Sequence, residues 1–117
     1  MAYDSNNIFA KILRGEIPCQ RVYEDDHALA FDDINPKAPI HVLVIPKGAY
    51  GSFMDFTIRA SSEEIAAFFQ TVTKVAEILK LGDNGFRLVV NNGPDSGEEV
   101  PHFHVHLIGG ARLGGIA

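Results

Sequence analysis

The segment Pro101-His102-Phe103-His104-Val105-His106-Leu107-Ile108-Gly109-Gly110 alternates imidazole and apolar side chains. Successive side chains of a β-strand point to opposite faces. The run therefore reads as a strand, roughly His102–Ile108, with His102, His104 and His106 on one face and Phe103, Val105 and Leu107 on the other. The apolar set needs an element to pack against. The polar set then lines up imidazoles about 6.6 Å apart along one surface. With five histidines among 117 residues, a triple at this spacing has only about a 1% chance of arising by accident. The plainest alternative is three solvated histidines on an outer sheet face.

The rest of the chain limits what that strand can belong to. The length predicts one domain over residues 1–117, with a short flexible N-terminus at 1–5. Hydrophobic residues make up 46% of the chain, enough for a core. No apolar run approaches the ~18 residues of a membrane span, and MAYDSNN does not read as a signal peptide. The single cysteine excludes an internal disulfide and makes a cytoplasmic location the expectation. Ten Lys and Arg against 15 Asp and Glu give a net charge of -5, which argues against nucleic acid held on a broad basic face. A small anion in a local pocket stays open.

Apolar spacing at Ile8, Phe9, Ile12 and Leu13 predicts a short helix over about 6–14, stopped by Gly15 and Pro18. Strands are expected at Arg21–Glu24 and Ala28–Phe31 around a turn at Asp25-Asp26-His27, which puts His27 on the surface. After the proline loop 35–39, His41–Ile45 reads as a buried strand closed by Pro46. Ser61-x-x-Glu64 has capping-box spacing, and Ile65, Phe68, Phe69, Val72, Val75, Ala76 and Leu79 form one apolar stripe behind it, ending at Gly82. That stripe reads as core. Phe86–Val90 is a further strand and 91–99 a loop. The links between strands are mostly hairpin-length, so the pattern predicts an α+β fold: an antiparallel sheet of about five strands with two helices, the longer packed on the sheet.

Two chemistries suit the histidines. They could ligate a metal such as zinc, but no C-x-x-C or downstream acid completes a ligand set. Alternatively, one imidazole acts as a nucleophile while its neighbours position it. At an ordinary pKa of about 6.5, roughly three-quarters of an imidazole population is neutral at pH 7 and so nucleophilic.

The pattern His-φ-His-φ-His-φ-φ (φ apolar) running into Gly109-Gly110 resembles the histidine triad superfamily, and most closely its nucleotide-binding branch of adenosine 5'-monophosphoramidases. Ile8-Phe9-x-Lys11-Ile12, Gly15-Glu16-Ile17-Pro18, Leu29-Ala30-Phe31-x-Asp33-Ile34, the stretch Pro36 to Lys47, and Val89-Val90-Asn91 to Gly97 extend the resemblance over nearly the whole chain. It implies that His104 is the nucleophile. His104 would attack the α-phosphate of a purine nucleoside phosphoramidate or acyl-adenylate, form a covalent adenylyl-histidine and release AMP after hydrolysis. It further implies that His102 and His106 orient the nucleophile, fix its tautomer and donate to phosphate oxygens, with His41 in support. Asp33 would bind the ribose hydroxyls, and Ile8, Phe9, Phe31 and Ile34 the base. Asn91 would donate to phosphate or ribose, and the Gly97 N–H would approach phosphate.

No cofactor or metal is implied, and a homodimer is. As plain sequence, Asp33 before Asn35-Pro36 could be only a turn former, and Asn91 only the end of a strand. Where the branch usually has Gly-Gln, this chain has Gly97-Glu98-Glu99. A carboxylate at Glu98 would repel a phosphate by about 4 kcal/mol at 4 Å and effective dielectric ~20. It is therefore expected to slow turnover or favour cationic leaving groups. The tail Gly114-Gly115-Ile116-Ala117 is short for the branch. Two other classes stay open: a non-enzymatic nucleotide-binding interaction protein, and a zinc-binding protein.

Overall fold

The computed structural model describes residues 2–97 and 100–116. Helix α1 spans Ile8–Leu13, capped by Asn7, whose side-chain oxygen accepts the Ala10 N–H. Strands β1 (Arg21–Glu24) and β2 (Ala28–Asp32) form a hairpin whose turn is held by the Asp25 carboxylate on the His27 and Ala28 N–H groups. His27 is exposed there, as its turn position implies. Strand β3 (Ile40–Pro46) is followed by helices α2 (Phe53–Arg59) and α3 (Ser62–Ile78), then β4 (Phe86–Val89), a 3₁₀ turn (Pro94–Ser96) and β5 (Val105–Gly109). The strands make one antiparallel sheet in the order β1-β2-β3-β5-β4. The α+β class, the five strands and the long helix on the sheet all match the sequence reading.

Three details differ from that reading. A third α-helix, α2, sits where none was expected. Its Ser52 cap on the Asp55 N–H and its Asp55–Arg59 ion pair are local signals too short to stand out as periodicity. At α3 the Ser61 hydroxyl caps Glu64 N–H as expected, but the Glu64 carboxylate is taken by the Tyr50 hydroxyl. The last strand starts at Val105, three residues later than the alternation implied. Pro101 has no N–H to give a ladder. Around it the His102 N–H turns back to the Val100 carbonyl at 2.9 Å, and the Phe103 N–H goes to the Tyr50 carbonyl at 2.8 Å. The three histidines therefore do not share one strand face.

Period-2 alternation divides the sheet into two cores. On one face Ala28, Ala30, Val42, Val44, Val105 and Leu107 pack against Phe56 of α2 and Phe68, Val72, Val75 and Ala76 of α3. On the other face α1 lays Phe9 and Ile12 on Leu29, Phe31, Leu43 and Ile45. Helix α1 is short and covers only the β2–β3 part of this face. The uncovered remainder, towards β5, carries the functional side chains. None of the described helices is long and apolar enough to cross a membrane.

Candidate active site

Register brings the site together. Leu43 stands opposite His106, and His41 lies two residues before Leu43, so His41 and His106 emerge on the same face of adjacent strands. Their rings meet with His41 Nε2 2.9 Å from His106 Nδ1. His104 lies just before β5, its ring centre 5.2 Å from that of His106, and Phe9 of α1 packs edge-on against it at 5.0 Å.

The hydrogen bonds assign a proton to each ring. The Lys37 N–H can only donate, so His41 Nδ1, 3.0 Å away, is an acceptor. In the neutral ring the proton then sits on His41 Nε2, aimed at His106 Nδ1, with the Asp33 carboxylate 3.3 Å to the side. His106 Nδ1 is thereby an acceptor too, and its own proton sits on Nε2. At His104 the arrangement is reversed. Its Nδ1 lies 2.7 Å from the His102 carbonyl, which can only accept, so Nδ1 carries the proton and Nε2 presents a lone pair. Two neighbouring imidazoles thus offer opposite chemistry: a bare nitrogen on His104 and an N–H on His106. Desolvation holds His106 neutral, its pKa pushed down to about 4 with help from the His104 and His41 rings. His41 is lowered as well, mainly by burial, against the pull of Asp33.

His102 orients His104 as the resemblance implies, but through its backbone carbonyl, and its ring does not face a phosphate. Its ring is fully buried, and both nitrogens are committed, Nε2 to the Pro46 carbonyl at 2.9 Å and Nδ1 to the Tyr3 hydroxyl at 2.5 Å. It has no N–H left for a phosphate and reaches the site only through its backbone carbonyl on His104. Burial lowers its pKa to about 4. Tyr3 also ties down part of the N-terminal stretch expected to be loose.

His104 and His106 border a cavity of about 380 Å³. Phe9 and Phe31 form its buried apolar wall, with Ile8 and Ile34 at the exposed rim. Asp33, Asn91 and Gly97 also line it, so the structure brings together these expected contacts. Asp33 is a turn former as well: its Oδ1 accepts the Asn35 N–H at 2.8 Å, and its own N–H is bonded to the His41 carbonyl. A carboxylate has about four lone-pair sites, so acceptor capacity remains for a ligand. The expected use of the Gly97 N–H does not match the structure, where it donates to the Pro94 carbonyl at 3.0 Å. Gly97 instead supplies the left-handed backbone, φ +82°, that ends the 3₁₀ turn at the cavity edge. Glu98 and Glu99 lie outside the described residues. A second, more open cavity adjoins the first across His106, Asp33 and Asn91, and also takes in Lys37 and His41.

Ile12, Leu43 and Val100 line the first cavity without having been singled out from sequence. Ile12 falls one helical turn from Ile8 and Leu43 two residues from His41, so both faces could have been read from spacing. Tyr3, Asn7 and Pro46 carried no such signal, because the bonds of Tyr3 and of the Pro46 carbonyl to His102, and of Asn7 to Tyr3, are set by tertiary structure.

Asp33, His41 and His106 also make a potential metal cluster, their ligand atoms all within 4.8 Å. A histidine that binds metal through one nitrogen normally donates a proton from the other. His41 Nδ1 already faces the Lys37 N–H, so a proton there would put two hydrogens against each other. The donor set does not fit a metal.

Residues 14–113 match the HIT domain family. A HIT-like protein of Azospirillum brasilense, itself uncharacterized, is 55% identical over 112 residues, 96% of this chain and 92% of that protein. A 14 kDa zinc-binding protein of Zea mays is 44% identical over 114 residues, 94% and 86% of the two chains. Among solved structures, a HIT family hydrolase from Legionella pneumophila superposes with a TM-score of 0.86 at 41% identity, over 93% of this chain and 96% of that one.

Proposed function

We propose that this chain, which belongs to the HIT family, is a hydrolase of purine nucleoside phosphoramidates or acyl-adenylates that works through a covalent adenylyl group on His104. The opposed protonation of His104 and His106 carries this reading. His104 Nε2 is the ring nitrogen free to attack phosphorus, and its Nδ1–H, held by the His102 carbonyl, keeps the lone pair on the cavity side. As the N–P bond to His104 forms, the P–N bond to the substrate amine breaks with its electron pair on nitrogen, which takes up one proton. His106 Nε2–H donates a hydrogen bond to that departing nitrogen, and the adjoining cavity past His106 receives the amine. Water then cleaves the adenylyl-imidazolium and releases AMP and one proton, so the two steps sum to hydrolysis. The adduct keeps Nδ1–H and is therefore cationic, a good leaving group for the second step. Positioning and oriented N–H dipoles supply most of the catalysis in such transfers.

The base would lie against the wall formed by Phe9 and Phe31, and the ribose hydroxyls on Asp33. Incubation with an adenosine 5'-phosphoramidate should release AMP, and His104→Ala should abolish release while AMP still binds. Intact-mass analysis during turnover should find an adenylyl adduct lost in His104→Ala. Binding of AMP without any hydrolysis would overturn the enzyme reading in favour of a nucleotide-binding interaction protein. The zinc-binding name of the maize relative suggests the other alternative. Stoichiometric zinc in protein purified without chelator, abolished by His41→Ala, would establish it against the proton assignment at His41.

A further inference from the structure

A polar network runs behind the cavity, from the cap of α1 to the buried ring of His102. We propose that Tyr3 and Asn7 are positioning residues for the nucleophile, holding the ring of His102 in place and, through its carbonyl, the orientation of His104. This rests on the reading of His104 as the attacking group.

Each bond in the network fixes the next. Asn7 is buried, and its Nδ2 donates to the Asp4 carbonyl at 2.7 Å and to the Tyr3 hydroxyl oxygen at 2.8 Å, while its Oδ1 accepts the Ala10 N–H at 2.9 Å. A flipped amide would set oxygen against the Asp4 carbonyl and NH₂ against the Ala10 N–H, so only one orientation satisfies all three partners. The Pro46 carbonyl can only accept, so His102 carries its proton on Nε2 and leaves Nδ1 bare. The Tyr3 hydroxyl, whose oxygen already accepts from Asn7, therefore directs its single hydrogen at His102 Nδ1, 2.5 Å away. The ring is thus clamped between the end of β3 and the N-terminal segment, and burial keeps it neutral. Its clamped residue supplies the carbonyl, 2.7 Å from His104 Nδ1, that holds the nucleophile's proton on the far side from the cavity. Asn7 acts a second time through α1, whose Phe9 packs edge-on against both the His102 and His104 rings, at 6.4 and 5.0 Å. Tyr3 does not line the cavity. Its contacts lead to the nucleophile through His102 and, by way of Asn7, through α1.

Tyr3→Phe removes the hydroxyl and keeps the edge-on ring contact with His102. It should lower kcat for an adenosine phosphoramidate about tenfold while KM and AMP affinity stay within twofold. Asn7→Ser retains a capping oxygen for Ala10 but cannot reach Tyr3, so a smaller loss of about threefold in kcat is expected. Ring-nitrogen NMR of the free protein gives a readout independent of turnover. Wild-type His102 should be protonated at Nε2 with Nδ1 hydrogen-bonded, and Tyr3→Phe should shift that Nδ1 resonance together with the His104 Nδ1–H. Protonation of wild-type His102 at Nδ1, or an unmoved His104 Nδ1–H in Tyr3→Phe, would overturn the proposal even if the protein hydrolysed no phosphoramidate. In an active wild type, an unchanged kcat in folded Tyr3→Phe would overturn it as well. Failure of the hydrolase reading alone would leave the NMR results as the proposal requires.

Discussion

At the scale of single residues, the site depends on imidazoles kept neutral. His102 and His106 both have pKa values depressed to about 4, in each case chiefly by burial, whereas an imidazole in the unfolded chain titrates near 6.5. Between those values the unfolded chain binds protons that the folded protein refuses, so stability rises with pH across the window. The contribution is fully present above about 6.5 and is lost as pH falls towards 4. Urea unfolding at stepped pH should therefore show the midpoint falling steadily from pH 7 to pH 4.5. His102→Gln should flatten part of that fall while lowering stability at pH 7, because a buried ring and its Pro46 contact are lost. A midpoint independent of pH over that range would refute the assignment of both rings as neutral and buried.

At the scale of elements, what could be read from sequence was what repeats. Helix α3 was legible from its seven-residue stripe and its serine cap, and β3 from its β-branched run. The cap itself is testable: Ser61→Ala should cost about 1 kcal/mol, a few degrees in Tm, and leave AMP binding unchanged. A loss well above that would mean Ser61 does more than satisfy the Glu64 N–H. The histidine segment was legible in its chemistry but only partly in its geometry. Its alternation is real over Val105–Gly109, but Pro101 breaks the ladder before it and turns His102 inward. Composition cannot distinguish an imidazole facing a ligand from one facing a backbone carbonyl, because that choice is made by Tyr3 and Pro46, 99 and 56 residues away. Cavity residues beside the recognised positions followed from helix and strand spacing. The proton assignments followed from bonds to backbone groups, which no side-chain pattern encodes.

At the scale of the whole molecule, the two edges of the sheet differ. On β1 the pairing is irregular between Arg21 and Tyr23, and Glu24 carries ion pairs to Arg21 and Lys47. Irregular pairing and charge are the usual means by which an edge resists pairing with another chain. The β4 edge pairs without a break, and its one charged side chain is Arg87. Phe86, Leu88 and Val90 alternate onto the side of the sheet that carries Leu107 and α3, yet they stand 42%, 42% and 37% exposed, because α3 covers the middle strands and stops short of this edge. Arg87, between them, is turned to the other face, where it holds the Gly114 carbonyl of the tail. An apolar row beside an open backbone edge is the surface that a second copy of the chain can cover by extending the sheet. Two antiparallel β4 strands related by a two-fold axis would bury both rows at once. Light scattering should accordingly give the mass of two chains, and Leu88→Lys should give one, since it sets two like charges into the joint. If the pairing also shapes the open cavity past His106, the Leu88→Lys monomer should keep its affinity for AMP but change its relative rates among leaving amines. A wild-type mass of one chain at micromolar concentration would rule out the dimer.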